Sequence, residues 1–212
     1  MIEVHAFSTP NSVKVPIALE EMGIAYDLKP VNVRRGEQKA EHFLSLNSNG
    51  KVPVLIDPRG PDGQRVVLTE SAAILIYLAE KSQTLLPASG IARARVFEQL
   101  FFHASGIGPA FGQSGFFQKQ APERISLAIE RFSNEARRVM TVLDGVLSQS
   151  TFTAGEEFTI ADIAHFGWLW RSEFAGIDLK QFPYVLRWYE TVHARPAVVR
   201  AVERVTALVP QS

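Results

Sequence analysis

A chain of 212 residues, 46% apolar and 21% charged, can bury a sizeable core and suits one large domain or two small ones. Its 22 basic and 22 acidic side chains cancel, which argues against the basic excess that drives nucleic-acid binding. The absence of cysteine excludes a disulfide framework, a zinc–thiolate site and a protein thiol nucleophile, and no apolar run reaches the roughly 18 residues that span a bilayer.

The opening Met-Ile-Glu-Val-His has neither the basic start nor the apolar stretch of a signal peptide, so a cytoplasmic location is expected. Ile2 to Phe7 is a short apolar-rich run that predicts a strand. Thr9-Pro10-Asn11-Ser12 follows as a turn with several helix-capping residues. Val13, Ile17 and Met22 then recur at helical spacing, and Gly23 supplies a stop. Pro16 removes a backbone donor near the first turn and makes the helix start irregular. Tyr26 to Val33 alternates as a second strand, and Ala40 to Leu46 reads as a short helix. Val52 to Ile56 and Val66 to Leu68 are apolar runs joined by Pro58-Arg59-Gly60-Pro61-Asp62-Gly63, turn chemistry between adjacent antiparallel strands. Glu70 to Lys81 carries Ala73, Ile74, Tyr77 and Leu78 on one helix face. The order is β-α-β-α-β-β-α.

Leu85-Leu86-Pro87-Ala88-Ser89-Gly90 reads as a linker, and strand signals vanish beyond it. Helical patterns cover about 91–118, 123–148, 160–174, 182–194 and 196–206, with Gly106-Ile107-Gly108-Pro109 bending or interrupting the first. Strands followed by helices predict an α/β domain over residues 1–83 and an all-α domain over 91–212.

Two loops stand out. Lys51-Val52-Pro53 opens an apolar strand, where a proline sits at the first residue or on an edge. A trans bond is the ordinary reading; a cis bond would aim the Val52 backbone outward. In Thr69-Glu70-Ser71, Ser71 is a suitable N-cap for the helix that follows. The unpaired N–H groups of such a helix start attract carboxylates, although the pair taken alone is only a cap. Thr159 and Asp162 have capping-box spacing, which makes them folding residues, with a catalytic acid at Asp162 as the alternative. The five histidines show no metal-ligand spacing; His103 and His165 lie in helical patterns that pack or cap them. Phe101, Phe102, Phe111, Phe116 and Phe117 are either core or the lining of an apolar pocket.

The strand order, Lys51-Val52-Pro53, Glu70-Ser71 and the helical second half together resemble the glutathione transferase superfamily: a thioredoxin-like, glutathione-binding domain followed by an all-helical one. Thr159-Ile160-Ala161-Asp162-Ile163-Ala164 is similar to the capping motif of that second domain. Thr9-Pro10-Asn11, Leu19-Glu20-Glu21 and Gly108-Pro109-Ala110-Phe111-Gly112-Gln113 look most like the bacterial nu-class enzymes, known for reducing disulfides with glutathione.

Charge balance, the lack of a long apolar run and the histidine spacing lead us to expect no nucleic acid, membrane or metal partner. The resemblance implies glutathione as co-substrate and a homodimer. It places Thr9 and Asn11 beside the glutathione sulfur, and Gln38 at the glycine end. Lys51 lies beside the backbone contact at Val52-Pro53, and Glu70 and Ser71 hold the γ-glutamyl end. Arg131 matches a position that reaches into the partner subunit's site. Without the resemblance, Thr9 is a turn residue, Asn11 a cap, and Gln38 and Arg131 solvated helix residues. The expected chemistry is stabilisation of the glutathione thiolate by the Thr9 hydroxyl and Asn11 amide, for attack on a disulfide. Attack on an electrophile or a hydroperoxide would use the same thiolate. The alternative is a non-catalytic glutathione- or ligand-binding protein of the same fold.

Overall fold

The computed structural model describes residues 1–210; residues 211 and 212, expected as the end of the second domain, lie outside the described residues. The chain divides into two compact units: Met1–Thr84 together with the segment from Ala194 onward, and Leu85–His193.

In the first unit the elements follow the expected order: β1 (Ile2–Ala6), α1 (Lys14–Glu21), β2 (Tyr26–Pro30), α2 (Glu41–Leu44), β3 (Val54–Asp57), β4 (Val66–Leu68) and α3 (Ser71–Ser82). The sheet runs β2-β1-β3-β4. β1 and β2 are parallel, with Val4 opposite Leu28, and β3 is antiparallel to both neighbours. β2 stops at Pro30 rather than Val33 because β1 has already ended at Ala6 and offers no further partner. β3 starts at Val54 rather than Val52, since Pro53 has no N–H to give the ladder.

Ile2, Val4 and Ala6 are buried on one face of β1, and all four residues of β3 are buried, as befits a strand covered on both sides. Helix α1 buries every residue from Lys14 to Leu19, a lysine among them. It packs against α3 and against α9 (Pro196–Thr206). The α1–α9 contact explains why compactness groups the last helix with the first unit, although sequence order sets it among the later helices. Its N-cap, Arg195, holds Glu21 through two bonds of 2.6 and 2.7 Å. Glu20 accepts from Arg200 at 2.8 Å, Arg204 at 3.1 Å and the Tyr26 hydroxyl at 3.2 Å.

The second unit contains α4 (Gly90–Phe102), α5 (Gly108–Lys119), α6 (Ser126–Leu147), α7 (Ile160–Leu169) and α8 (Pro183–His193). The expected interruption of the first long helix appears as a π-helical turn, His103–Ile107. Pro109 then falls in the first turn of α5, directly after this π-helical turn. Buried Ala136, Val139, Met140, Leu143 and Leu147 give α6 one apolar stripe. No described helix is long and apolar enough to cross a membrane.

Helix α7 opens on the capping box expected from the sequence. The Thr159 hydroxyl accepts from Ala161 N, and the Asp162 carboxylate accepts from Thr159 N at 2.9 Å. Asp162 does more than cap. Fully buried, it also accepts from the Thr159 hydroxyl, from Thr153 N and Oγ1, and from Trp188 Nε1 at 2.9 Å. Burial pushes the Asp162 carboxyl up, while these donors oppose the shift. The carboxylate thus ties the 150s loop, α7 and α8 together, which supports a folding role over a catalytic one. Asp162→Ala would strand several buried donors, so a loss of about 3 kcal/mol or more in urea-unfolding free energy is expected. A loss below about 1 kcal/mol would show that water replaces the carboxylate at little cost.

Candidate active site

The segment between α2 and β3 is fixed by its own polar contacts. Asn47 donates through Nδ2 to the Lys51 carbonyl at 2.7 Å and accepts from Asn49 N at 3.0 Å. Gly50 has φ +61, and a Cβ there would lie 3.1 Å from the Gln38 carbonyl and 2.9 Å from Lys39 Nζ, so the loop needs glycine to pass this close. The Val52–Pro53 bond that follows is cis, correcting the ordinary trans reading.

Opposite this loop, the cap of α3 falls one residue earlier than expected. Glu70, not Ser71, is the N-cap, and Ser71 is the first helical residue. No side chain caps the first turn, so its N–H groups point outward without a side-chain acceptor. Glu70 holds φ 63 and ψ 110, a left-handed conformation that costs a non-glycine residue about 1–3 kcal/mol and recurs at binding sites.

Asn11, Asn47, Lys51, Val52, Pro53, Glu70 and Ser71 line one cleft of about 50 Å³, on the scale of a carboxylate group. The structure therefore brings together Asn11, Lys51, Val52, Pro53, Glu70 and Ser71. Thr9 lies two residues before Asn11, with its hydroxyl turned inward. It donates to Ser12 Oγ at 2.9 Å and accepts from Ser12 N at 3.2 Å. Gln38 sits in the turn Glu37–Lys39 against the loop, and its Oε1 is buried with no hydrogen-bond partner among the described residues. Arg131 belongs to the second unit, on an exposed stretch of α6 beside Leu127 and Glu135. Of the five phenylalanines, Phe111 is core, Phe101 is exposed, and Phe117 stacks on Phe132 with ring centroids 5.3 Å apart. His103 and His165 are both buried and meet edge to face at 5.2 Å.

One member of the site carries no signal in the sequence. Lys14, at the start of α1, is 1% exposed, and its Nζ donates to Asn11 Oδ1 at 2.7 Å and to Ser71 Oγ at 3.2 Å. Burial lowers its pKa from 10.5 to about 7, against the opposing pull of the Glu70 carboxylate. Only the flanking apolar residues hint at burial, and a lysine among them reads as solvated.

A parallel–antiparallel four-stranded sheet with a cis-proline loop facing an uncapped helix start, followed by a helical unit, defines a thioredoxin-like domain joined to an all-α one. The sequence models of the Glutathione S-transferase N-terminal and C-terminal domains match residues 9–81 and 115–196. The disulfide-bond oxidoreductase YfcG of Escherichia coli is 37% identical over 95% of this chain and 94% of its own length. A glutathione transferase family member from Pseudomonas fluorescens, crystallised with two glutathione bound, superposes with a TM-score of 0.90 at 42% identity, over 95% of this chain and 92% of that one. A glutathione transferase from Pseudomonas putida with one glutathione disulfide bound per subunit has a TM-score of 0.89 at 38% identity, over 95% and 90%. The chain belongs to the glutathione S-transferase family.

The buried lysine has a measurable signature. Unfolded, Lys14 keeps its proton to about its ordinary 10.5; folded, it loses the proton near 7. Between those values the unfolded state binds more protons, so stability rises with pH. Lys14→Met lacks this linkage. Urea unfolding from pH 7 to 9.5 should show the wild type gaining on the variant by up to about 1.4 kcal/mol per pH unit. A constant difference would mean that folding leaves the Lys14 pKa near its ordinary value.

Proposed function

We propose that this protein is a glutathione-dependent disulfide-bond reductase of nu-class type, with residues 1–83 as the glutathione-binding domain and 91–212 as the helical domain. The observation that carries the reading is the convergence of Asn11, Lys51, Val52, Pro53, Glu70 and Ser71 on one cleft at the uncapped start of α3. Helix N–H groups, the Ser71 hydroxyl and the local positive potential suit the γ-glutamyl carboxylate, and Glu70 suits its ammonium. The Val52 backbone takes the cysteinyl part, with Lys51 beside it. Gln38, in the turn Glu37–Lys39 against the loop, takes the glycine end by the resemblance. The similarity to a named disulfide-bond oxidoreductase supports the choice of reaction.

The chemistry needs only a thiolate in place. Free thiol has a pKa of about 8.5, so hydrogen bonds from the protein must stabilise the anion. The glutathione thiolate attacks one sulfur of a disulfide; a new S–S bond forms and the other sulfur leaves as a thiolate, which takes a proton. A second glutathione thiolate attacks the mixed disulfide, giving glutathione disulfide and releasing the second half of the substrate. Two glutathiones are oxidised and one disulfide is reduced. Asn11 is the better placed donor, because its Oδ1 is engaged by Lys14 and its Nδ2 is left for the ligand. Thr9 serves only after its hydroxyl leaves Ser12.

A cytoplasmic homodimer is part of the proposal, with Arg131 of one subunit beside the other's site. Ile91, Phe101 and Leu127, exposed by 75, 67 and 78%, supply apolar surface for such an interface.

With glutathione and 2-hydroxyethyl disulfide, Asn11→Ala should lower reductase activity at neutral pH by about tenfold, with partial recovery as pH rises. Thr9→Ala should cost less. Equal activity of Asn11→Ala and wild type at every pH would sink the thiolate role. Glu70→Ala and Ser71→Ala should weaken glutathione binding by about 1.5–3 kcal/mol each in calorimetry while sparing the turnover of bound complex. Unchanged affinity in a folded double variant would remove the cleft from glutathione recognition.

A further inference from the structure

Lys14 has no place among the glutathione contacts implied by sequence. Its ammonium nonetheless joins the two residues assigned to opposite anionic groups of the ligand: Asn11 for the sulfur and Ser71 for the γ-glutamyl carboxylate. An ammonium has donors and no acceptor. Asn11 must therefore turn its carbonyl inward, which leaves both amide hydrogens for the cleft. Ser71 Oγ accepts from the same ammonium, so the serine hydrogen is also left to point outward.

We propose that Lys14 is a positioning residue whose ammonium turns the Asn11 amide and the Ser71 hydroxyl outward as donors to bound glutathione, and that glutathione binding recruits a proton to it. The proposal rests on the glutathione reading of the cleft. A neutral amine keeps two N–H donors but adds a lone pair, so it no longer forces both groups to face it as acceptors.

From the N-cap of α3, Glu70 favours the charged form. From the loop before β3, the cation Lys51 lines the same cleft. On α1 itself, Glu20 and Glu21 lie at the far end of the helix. Tyr26 of β2 and Arg195, Arg200 and Arg204 at α9 engage them there. Burial outweighs Glu70, which is why the lysine loses its proton near pH 7. A carboxylate arriving at Ser71 and a sulfur anion arriving at Asn11 both favour the ammonium and raise that value. Above pH 7 the bound protein then holds more protons than the free one. At pH 6 the lysine is charged in both states.

Calorimetric titration with S-methylglutathione, in two buffers of different ionisation enthalpy, counts the protons taken up. That ligand has no thiol proton to release, so its carboxylate is the anion being read. Wild type should take up most of one proton at pH 8 and almost none at pH 6. Lys14→Arg keeps a permanent cation, so binding should persist with the uptake lost. Lys14→Met should lose the uptake and bind about tenfold more weakly, as expected for lost charge-assisted bonds. Uptake that survives in either variant overturns the proposal. Binding by wild type without uptake at pH 8 overturns it without recourse to any variant, and leaves the glutathione reading standing. If wild type binds neither S-methylglutathione nor glutathione, the glutathione reading falls and the role of Lys14 falls with it.

Discussion

A buried ammonium shapes the candidate active site. Lys14 lies at the start of α1, yet one of its bonds reaches back into the first loop and the other crosses to the first residue of α3. Sequence distances of three and 57 residues are closed by one nitrogen. Desolvating that charge is costly, and partners of fixed geometry offset the cost only where they stand. Displacing Asn11 or Ser71 therefore takes an acceptor away from a buried lysine. The uncapped first turn of α3 and the strained Glu70 backbone add to the same end, holding donors where a ligand rather than the protein will use them.

The second unit depends on a buried charge of the opposite sign. Asp162 gathers donors from a loop and two helices, as Lys14 gathers acceptors from a loop and a helix. The difference is one of closure. Every contact of Asp162 described above is internal, which is the mark of a folding device. Lys14 instead turns two polar groups toward a cleft, which is the mark of a site. Burial alone does not separate the two roles; the direction in which the partners' remaining hydrogens point does.

Much of this was legible in the sequence, where the signal is local. Thr159 and Asp162 are three residues apart, and a capping box needs nothing else. The strand order followed from short apolar runs and turn residues, and Lys51-Val52-Pro53 with Glu70-Ser71 marked the two walls of the cleft. What escaped was set by tertiary contact. Lys14 reads as a solvated residue until α3 and α9 are seen to cover α1. The inward turn of the Thr9 hydroxyl depends on Ser12, which sequence offers equally as a helix cap. The cap of α3 moved by one residue because Glu70 adopts a left-handed backbone that propensity disfavours.

The last helix gives the first unit a discontinuous chain. Its two halves, residues 1–84 and the segment from 194 onward, are separated by the whole of Leu85–His193. Glu20 and Glu21 meet their arginines only across that gap. On the ribosome, the first unit is begun before the second but completed after it. Until the final helix emerges, α1 lacks the neighbour that covers its outer side and neutralises its acidic end. The intervening helical unit has all of its sequence available earlier. Synthesis order and completion order are thus reversed, and the unit that carries the candidate chemistry waits for a helix encoded after the whole of the other unit.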